Sequence, residues 1–202
     1  MNSMNENPVQ MLVHQYPTDK DLGVFAHDVA YASANHMVEH ADHEAVQAWL
    51  SGPFTKSVRR VKAGAKFNKI AAADEIAQME EVLVSLPTPY KEQTKALHAS
   101  QLFNEDLPRA DFQAEHEQVV IYVDYSLGMS SGKTAAQVAH GVCAYILRKG
   151  LDFVPEFSVV LLDEKPFAAQ ADAGADVRIV DSGLTEFGGQ ATLTVLAVGV
   201  DA

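Results

Sequence analysis

The chain has 202 residues, 48% of them hydrophobic, and 27 Asp and Glu against 15 Lys and Arg give it a formal charge of −12 at pH 7. That length and apolar content support a sizeable core in one medium or two small domains, while the negative charge counts against a general nucleic-acid binder, whose affinity comes mostly from phosphate contacts. No apolar run is long enough for a membrane span, the polar start MNSMNENP lacks the pattern of a secretory leader, and a single cysteine, Cys143, excludes an internal disulfide, so a cytoplasmic protein is expected.

In chain order, Val9 to Tyr16 reads as a strand. A helix follows from about Asp19 to Val38, with Thr18 and Asp21 at capping spacing and Leu22, Phe25 and Val29 on one face. A short helix holding Val46, Trp49 and Leu50 ends at Ser51-Gly-Pro, and Ser57 to Lys62 becomes a strand. Ile76, Met79, Val82 and Leu83 are spaced as one side of a helix over Asp74 to Leu83. Pro87, Pro89 and Pro108 punctuate a polar stretch with room for a helix around Tyr90 to Phe103, and Leu107 to Glu117 reads as the connection to a second half.

Two polar groupings in the first half admit more than one reading. His36 and His40 in HMVEHADH are spaced for a metal pair on a helix, but the order is not HExxH and the bland reading is an exposed polar helix end, so no metal is expected. Lys56, Arg59, Arg60, Lys62, Lys66 and Lys69 form the one basic island, in a stretch without Asp or Glu from Val46 to Ala73. It is either a solvated face or a surface for phosphates.

The second half opens on QVVIYVDYSLGMSSGKTAAQVAHGVCAY, residues 118 to 145. Val119 to Val123 is a β-branched strand, Gly128 and Gly132 allow tight backbone geometry, and Ser130 or Ser131 caps the following helix. Lys133 in that helix's first turn forgoes about 0.3 to 1 kcal/mol of favourable dipole interaction unless an anion or carboxylate compensates. Lys133, Gln137 and His140 share one helical face. The stretch is not a nucleotide-binding P-loop, because only three residues separate Gly128 from Gly132 where that motif has four. Strands over Phe157–Leu162, Val177–Val180 and Thr192–Val198, with a helix over Lys165–Ala173, complete an alternation typical of α/β proteins.

Asp124, Leu127, Gly128, Met129, Gly132, Lys133, Ala135, Ala136, Gln137 and His140 resemble the signature D-L-x-M-x-x-G-K-x-A-A-Q-x-x-H of the archaeal and eukaryotic (type II) peptidyl-tRNA hydrolases, with one residue inserted after Asp124. Asp181-Ser-Gly-Leu-Thr185-Glu and Thr192-Leu-Thr194-Val-Leu-Ala-Val-Gly199 resemble that family's second signature, D-A-G-x-T-Q followed by T-x-T-V-L-A-I-G. The resemblance spans residues 118–199. It implies a mixed four-stranded β-sheet with helices on both faces, and hydrolysis of the ester joining a peptide to the 3′ ribose of tRNA, without cofactor or metal. It also implies Lys133, Asp181 and Thr185 as the catalytic set, with Gln137, His140, Thr194 and Gly132 lining the substrate. Asp181 would orient or activate water, and Lys133 would hold an oxyanion or a tRNA phosphate; on residue type alone Asp181 fits a turn-forming side chain equally well. The tRNA partner favours Arg59, Arg60 and Lys62 as phosphate contacts.

The chain departs from the family at Tyr122 and Val180, where arginines are common, and at Glu186, where glutamine is usual. All three changes lower positive potential, and a non-catalytic binding scaffold and a small-ester hydrolase are therefore the competing readings. The domain organisation expected is a degenerate or accessory half over residues 1–112 packed as one unit on a hydrolase-like half over 113–202. Lys20 and His27 share the seven-residue spacing of Lys133 and His140, so chance similarity and an ancient duplication both fit, the latter making a pseudo-dimeric monomer in a family that typically pairs as dimers.

Overall fold

The computed structural model describes residues 7–181 and 190–200. The first half runs β1 (Pro8–Tyr16), α1 (Leu22–Glu39), α2 (Glu44–Leu50), β2 (Thr55–Lys62), α3 (Ala65–Ala71), β3 (Ile76–Met79) and β4 (Val82–Ser85). Short pieces follow: β5 (Thr88–Pro89), α4 (Lys95–His98) and β6 (Gln101–Leu102). The second half runs β7 (Val119–Asp124), α5 (Ser131–Lys149), β8 (Phe157–Leu162), α6 (Glu164–Ala173), β9 (Val177–Asp181) and β10 (Thr192–Gly199).

The protein is thus of the α/β class with two mixed sheets, and the two repeat one connectivity. In the first, β2 lies parallel to β1, β4 antiparallel to β1 on its other side, and β3 antiparallel to β4. In the second, β8 lies parallel to β7, β10 antiparallel to β7, and β9 antiparallel to β10. The orders β2-β1-β4-β3 and β8-β7-β10-β9 therefore correspond strand for strand, with β6 added beyond β2 and β5 pairing the start of β1 in the first sheet.

Both sheets are apolar on both faces, which suits strands covered by helices on each side. Leu12, Val58 and Val84 face inward, whereas Met11, Val13 and Leu83 meet Phe67 and Ile70 of α3 and Leu97 of α4 on the outer face. In the second sheet Ile121, Val195 and Ala197 face inward, and Tyr122 and Leu196 meet Phe167 and Ala171 of α6. Between the sheets lie α1 and α5, packed on each other through small and β-branched side chains such as Ala26, Val29, Ala30, Ala135, Val138 and Val142. Each helix also reaches the opposite sheet, α1 leaning on β8 and α5 on β2, so the cross-contacts are exchanged by the same correspondence that relates the halves.

A linker locks the two central helices at their first turns. Leu107 N donates to Ser131 Oγ at 2.9 Å, Leu22 N to Pro108 O at 2.8 Å and Gly23 N to Ala110 O at 2.9 Å. A Cβ on Gly23 would collide with the Ala110 carbonyl oxygen, and one on Gly132 with that of Phe103. Asp21 caps α1 by accepting from Val24 N, and Ser130 caps α5 by accepting from Lys133 N. Both glycines stand two residues past their cap. Matching the caps places Asp28 opposite Gln137 and Tyr31 opposite His140, so the sequence pairing of His27 with His140 is displaced by about one helical turn.

Three expectations need correction. Residues 74–83 form no helix: β3 and β4 make a hairpin around Glu80 and Glu81, because β1 has a second edge to be paired and Val82, Leu83 and Val84 can be buried on both faces of a sheet. The Tyr90–Phe103 helix reduces to a 3-10 turn over 90–92, the single turn of α4, and β6. Thr18 does not cap α1; its hydroxyl accepts from Lys20 N instead. Among the described residues, no helix is long and apolar enough to cross a membrane.

Candidate active site

The signature residues of the second half meet where α5 passes the ends of β9 and β10. Thr194 is fully buried and its hydroxyl donates to Gln137 Oε1 at 2.8 Å, with the Ile179 carbonyl 3.3 Å away. Accepting at Oε1 fixes the amide so that Nε2 points the other way, and it donates to Asp181 Oδ2 at 2.6 Å. The result is a directed chain from hydroxyl to amide to carboxylate, buried at Thr194 and Gln137 and half-buried at Asp181. A charged acceptor at its end makes the last of these bonds the stronger kind.

Lys133 lies one turn before Gln137 on the same face of α5 and is half-buried. Gly132 receives the Phe103 backbone rather than leaving open space over the first turn. Asp124, at the end of β7, accepts from Ser126 N and Ser126 Oγ and so forms the 3-10 turn that leads into α5. Thr185 and Glu186 lie outside the described residues.

His140 sits apart from this chain. Its ring meets Phe54 at a centroid distance of 4.8 Å, and burial, with a lesser contribution from Lys56, keeps it neutral well below the usual histidine range. Lys56 is itself buried, 4.3 Å from the Trp49 ring centroid and 4.4 Å from that of Phe54, and burial lowers its pKa to about 8.

The basic island divides between β2 and α3, and Lys56, Arg59 and Arg60 are used internally. Arg59 is buried and donates from Nε to Ser100 Oγ at 2.7 Å and from Nη2 to the Ser100 carbonyl at 2.5 Å. Arg60 pairs with Glu105 and lies over the Tyr16 ring at 4.7 Å. Lys62, Lys66 and Lys69 are exposed. Alternation along β2 puts Lys56, Arg60 and Lys62 on one face and Arg59 on the other, so the face does not decide which are used internally; the partners Ser100 and Glu105, brought alongside from later in the chain, do.

In the first half the corresponding place carries ion pairs. Lys20 Nζ lies 2.5 Å from Asp28 Oδ2 and 2.9 Å from Glu81 Oε2. Burial opposes its charge, but those two carboxylates outweigh burial and raise the Lys20 pKa. Asp28 is held below its usual range by His27 and Lys20 against the effect of its own burial. A hydroxyl–amide–carboxylate chain in one half thus stands opposite a closed charge cluster in the other.

The His36 ring is buried and 4.4 Å from that of His40, and burial pushes its pKa down to about 4, so this helix end is not simply exposed. Among the described residues, no group of three or more His, Cys, Asp and Glu could hold a metal ion. Compared with known proteins, the chain matches no family model, no curated protein and no solved structure.

Proposed function

We propose that the second half hydrolyses the ester bond of peptidyl-tRNA, on a scaffold of the type II peptidyl-tRNA hydrolase kind. The observation that carries this reading is the Gln137 amide joining Asp181 to Thr194. These three residues come from both signature segments, and the fold brings them into one chain of hydrogen bonds. Thr194 sets the orientation of the amide and the amide anchors one oxygen of Asp181. An anchored carboxylate can direct and deprotonate a water for attack on the ester carbonyl. Lys133, one turn earlier on the same face, supplies the positive charge where the carbonyl oxygen becomes an oxyanion or where the acceptor-end phosphate lies. The mixed sheet β8-β7-β10-β9 with α5 and α6 on opposite faces supports the same scaffold. On this reading α1 covers the face of α5 that a second copy would cover in a dimer, and the chain is a fused pseudo-dimer whose first half has lost the chemistry. His140 packs the inner layer rather than acting on substrate, and Lys62 is the remaining phosphate contact of the two arginines and one lysine expected.

The test is release of peptide from an N-blocked aminoacyl-tRNA by the purified protein. Lys133→Ala and Asp181→Ala are expected to lower kcat by about a hundredfold or more while leaving the far-ultraviolet spectrum unchanged. The internal use of Arg59 and Arg60, in a chain of charge −12, favours a second reading in which the scaffold binds a partner without catalysis. No release above the uncatalysed rate by the wild type at low salt would select it.

A further inference from the structure

A cleft of about 410 Å³ opens at the seam between the halves, beside α1 at His27, Asp28 and Tyr31. Its inner wall is aromatic. The His27 ring is stacked on Phe112 at 3.9 Å and tilted against Phe157 at 4.7 Å, while Tyr31, stacked at 6.2 Å, is 43% exposed. Met79, Val154 and Pro155 extend the apolar lining.

The rim is of one sign. Glu80 enters from the β3–β4 turn of the first half, and Glu115 and Glu156 from the second, all three exposed; among the described residues no lysine or arginine lines the cleft. Asp28 lies at its base but is already bound to Lys20 and His27. Glu156 Oε2 accepts from His116 N at 3.0 Å, which holds that carboxylate against the linker. Glu80 keeps φ at 51°, a backbone conformation for which glycine or asparagine would be the unstrained choice.

Ring faces attract cations through their quadrupole, most strongly where water is excluded, and clefts of this size at a seam between two units are usual ligand sites. An anion is excluded by the rim, and a neutral apolar ligand would leave the carboxylates unused. We propose that this cleft binds an aliphatic di- or polyamine, its methylene chain lying on Phe112 and Tyr31 and its ammonium groups reaching Glu80 on one side of the seam and Glu115 and Glu156 on the other. The site is separate from the Gln137–Asp181 chain, and the inference does not depend on the activity proposed for it.

The experiment is isothermal titration of the full chain with spermidine, with butylamine and 1,4-butanediol as the single-charge and uncharged probes. Spermidine is expected to bind at one site with a dissociation constant below about 1 mM, and the other two probes at least tenfold more weakly. Glu80→Gln combined with Glu156→Gln should weaken spermidine at least tenfold, and Phe112→Leu, which keeps an apolar side chain but removes the ring, about threefold or more. Glu164→Gln combined with Asp172→Asn, two exposed carboxylates on α6, removes the same charge elsewhere and should leave binding unchanged. Absence of saturable spermidine binding overturns the proposal. So does equal weakening by the α6 pair, which would mean that the amine follows the protein's overall charge, or binding that survives the cleft variants.

Discussion

Lys56 illustrates how a residue's meaning depends on what surrounds it. In sequence it belongs to a basic island; in the structure its ammonium is buried beside Trp49, Phe54 and Cys143, and its pKa falls to about 8. The unfolded chain holds that proton to about pH 10.5, so between these values the unfolded state binds more protons and stability rises with pH. The full difference is about 3 kcal/mol, reduced by whatever the two ring faces return to the charged form. Lys56→Met should therefore be more stable than the wild type by about 1 to 3 kcal/mol at pH 7, with the gap closing towards pH 10. Paired denaturant titrations at the two pH values check this; a gap independent of pH would mean that burial does not shift Lys56. Gln137 makes the opposite kind of contribution. Gln137→Leu keeps the volume but removes the donor to Asp181 and the acceptor for Thr194, and is expected to cost about 1 to 2 kcal/mol, limited by the Ile179 carbonyl 3.3 Å from the Thr194 hydroxyl. A variant as stable as the wild type would show that the chain of hydrogen bonds is not formed in solution.

At the scale of elements, the first turns of α1 and α5 are held by the same device, a capping side chain followed two residues later by a glycine under crossing backbone. Backbone cannot rotate out of the way as a flexible side chain can, so a methyl group at Gly23 must displace the linker at Ala110 and one at Gly132 the chain at Phe103. Gly23→Ala and Gly132→Ala are each expected to destabilise the protein by about 2 kcal/mol or more, despite alanine's better helix propensity. At Gly52 an added Cβ meets only ordinary contacts, 3.7 Å from the Trp49 carbonyl oxygen, so Gly52→Ala serves as the comparison. Thermal melts of the three variants decide the matter: equal midpoints would mean that the crossing backbone does not press on the helices. The β3–β4 hairpin shows the limit of reading elements locally. Ile76, Met79 and Val82 carry helical spacing, yet the free edge of β1 selects a strand, because an unpaired backbone edge inside the protein costs more than a spacing preference can offset.

At the scale of the whole molecule, each half leaves one face of its long helix for the other to cover. The buried side chains of α5 include Val138, Val142, Cys143 and Ile146, packed in one core with Ala26, Val29, Ala30 and Met37 of α1. A fragment of residues 113–202 would expose that surface to water, and by the matching connectivity of the halves the best available cover is the same surface on another copy. The fragment is expected to run as a dimer or larger species in size-exclusion chromatography with light scattering. A folded monomeric fragment would show that the α1–α5 contact is dispensable.

The sequence by itself determined the α/β class, most of the strand and helix positions, including Phe157–Leu162 to the residue, and the α5 face carrying Lys133 and Gln137, because hydrophobic period, turn residues and caps are local. It also held the repeat of cap and glycine at Asp21, Gly23, Ser130 and Gly132, a signal legible once the helix starts are known. Only the tertiary structure decided that β4 pairs with β1 and β3 with β4, that Arg59 and Arg60 are turned to internal partners, and that Thr194, Gln137 and Asp181 join while His140 turns to Phe54. Each of these depends on which edge is open, or which neighbour lies within hydrogen-bonding reach. Those are properties of segments far apart in the chain, and no local pattern encodes them.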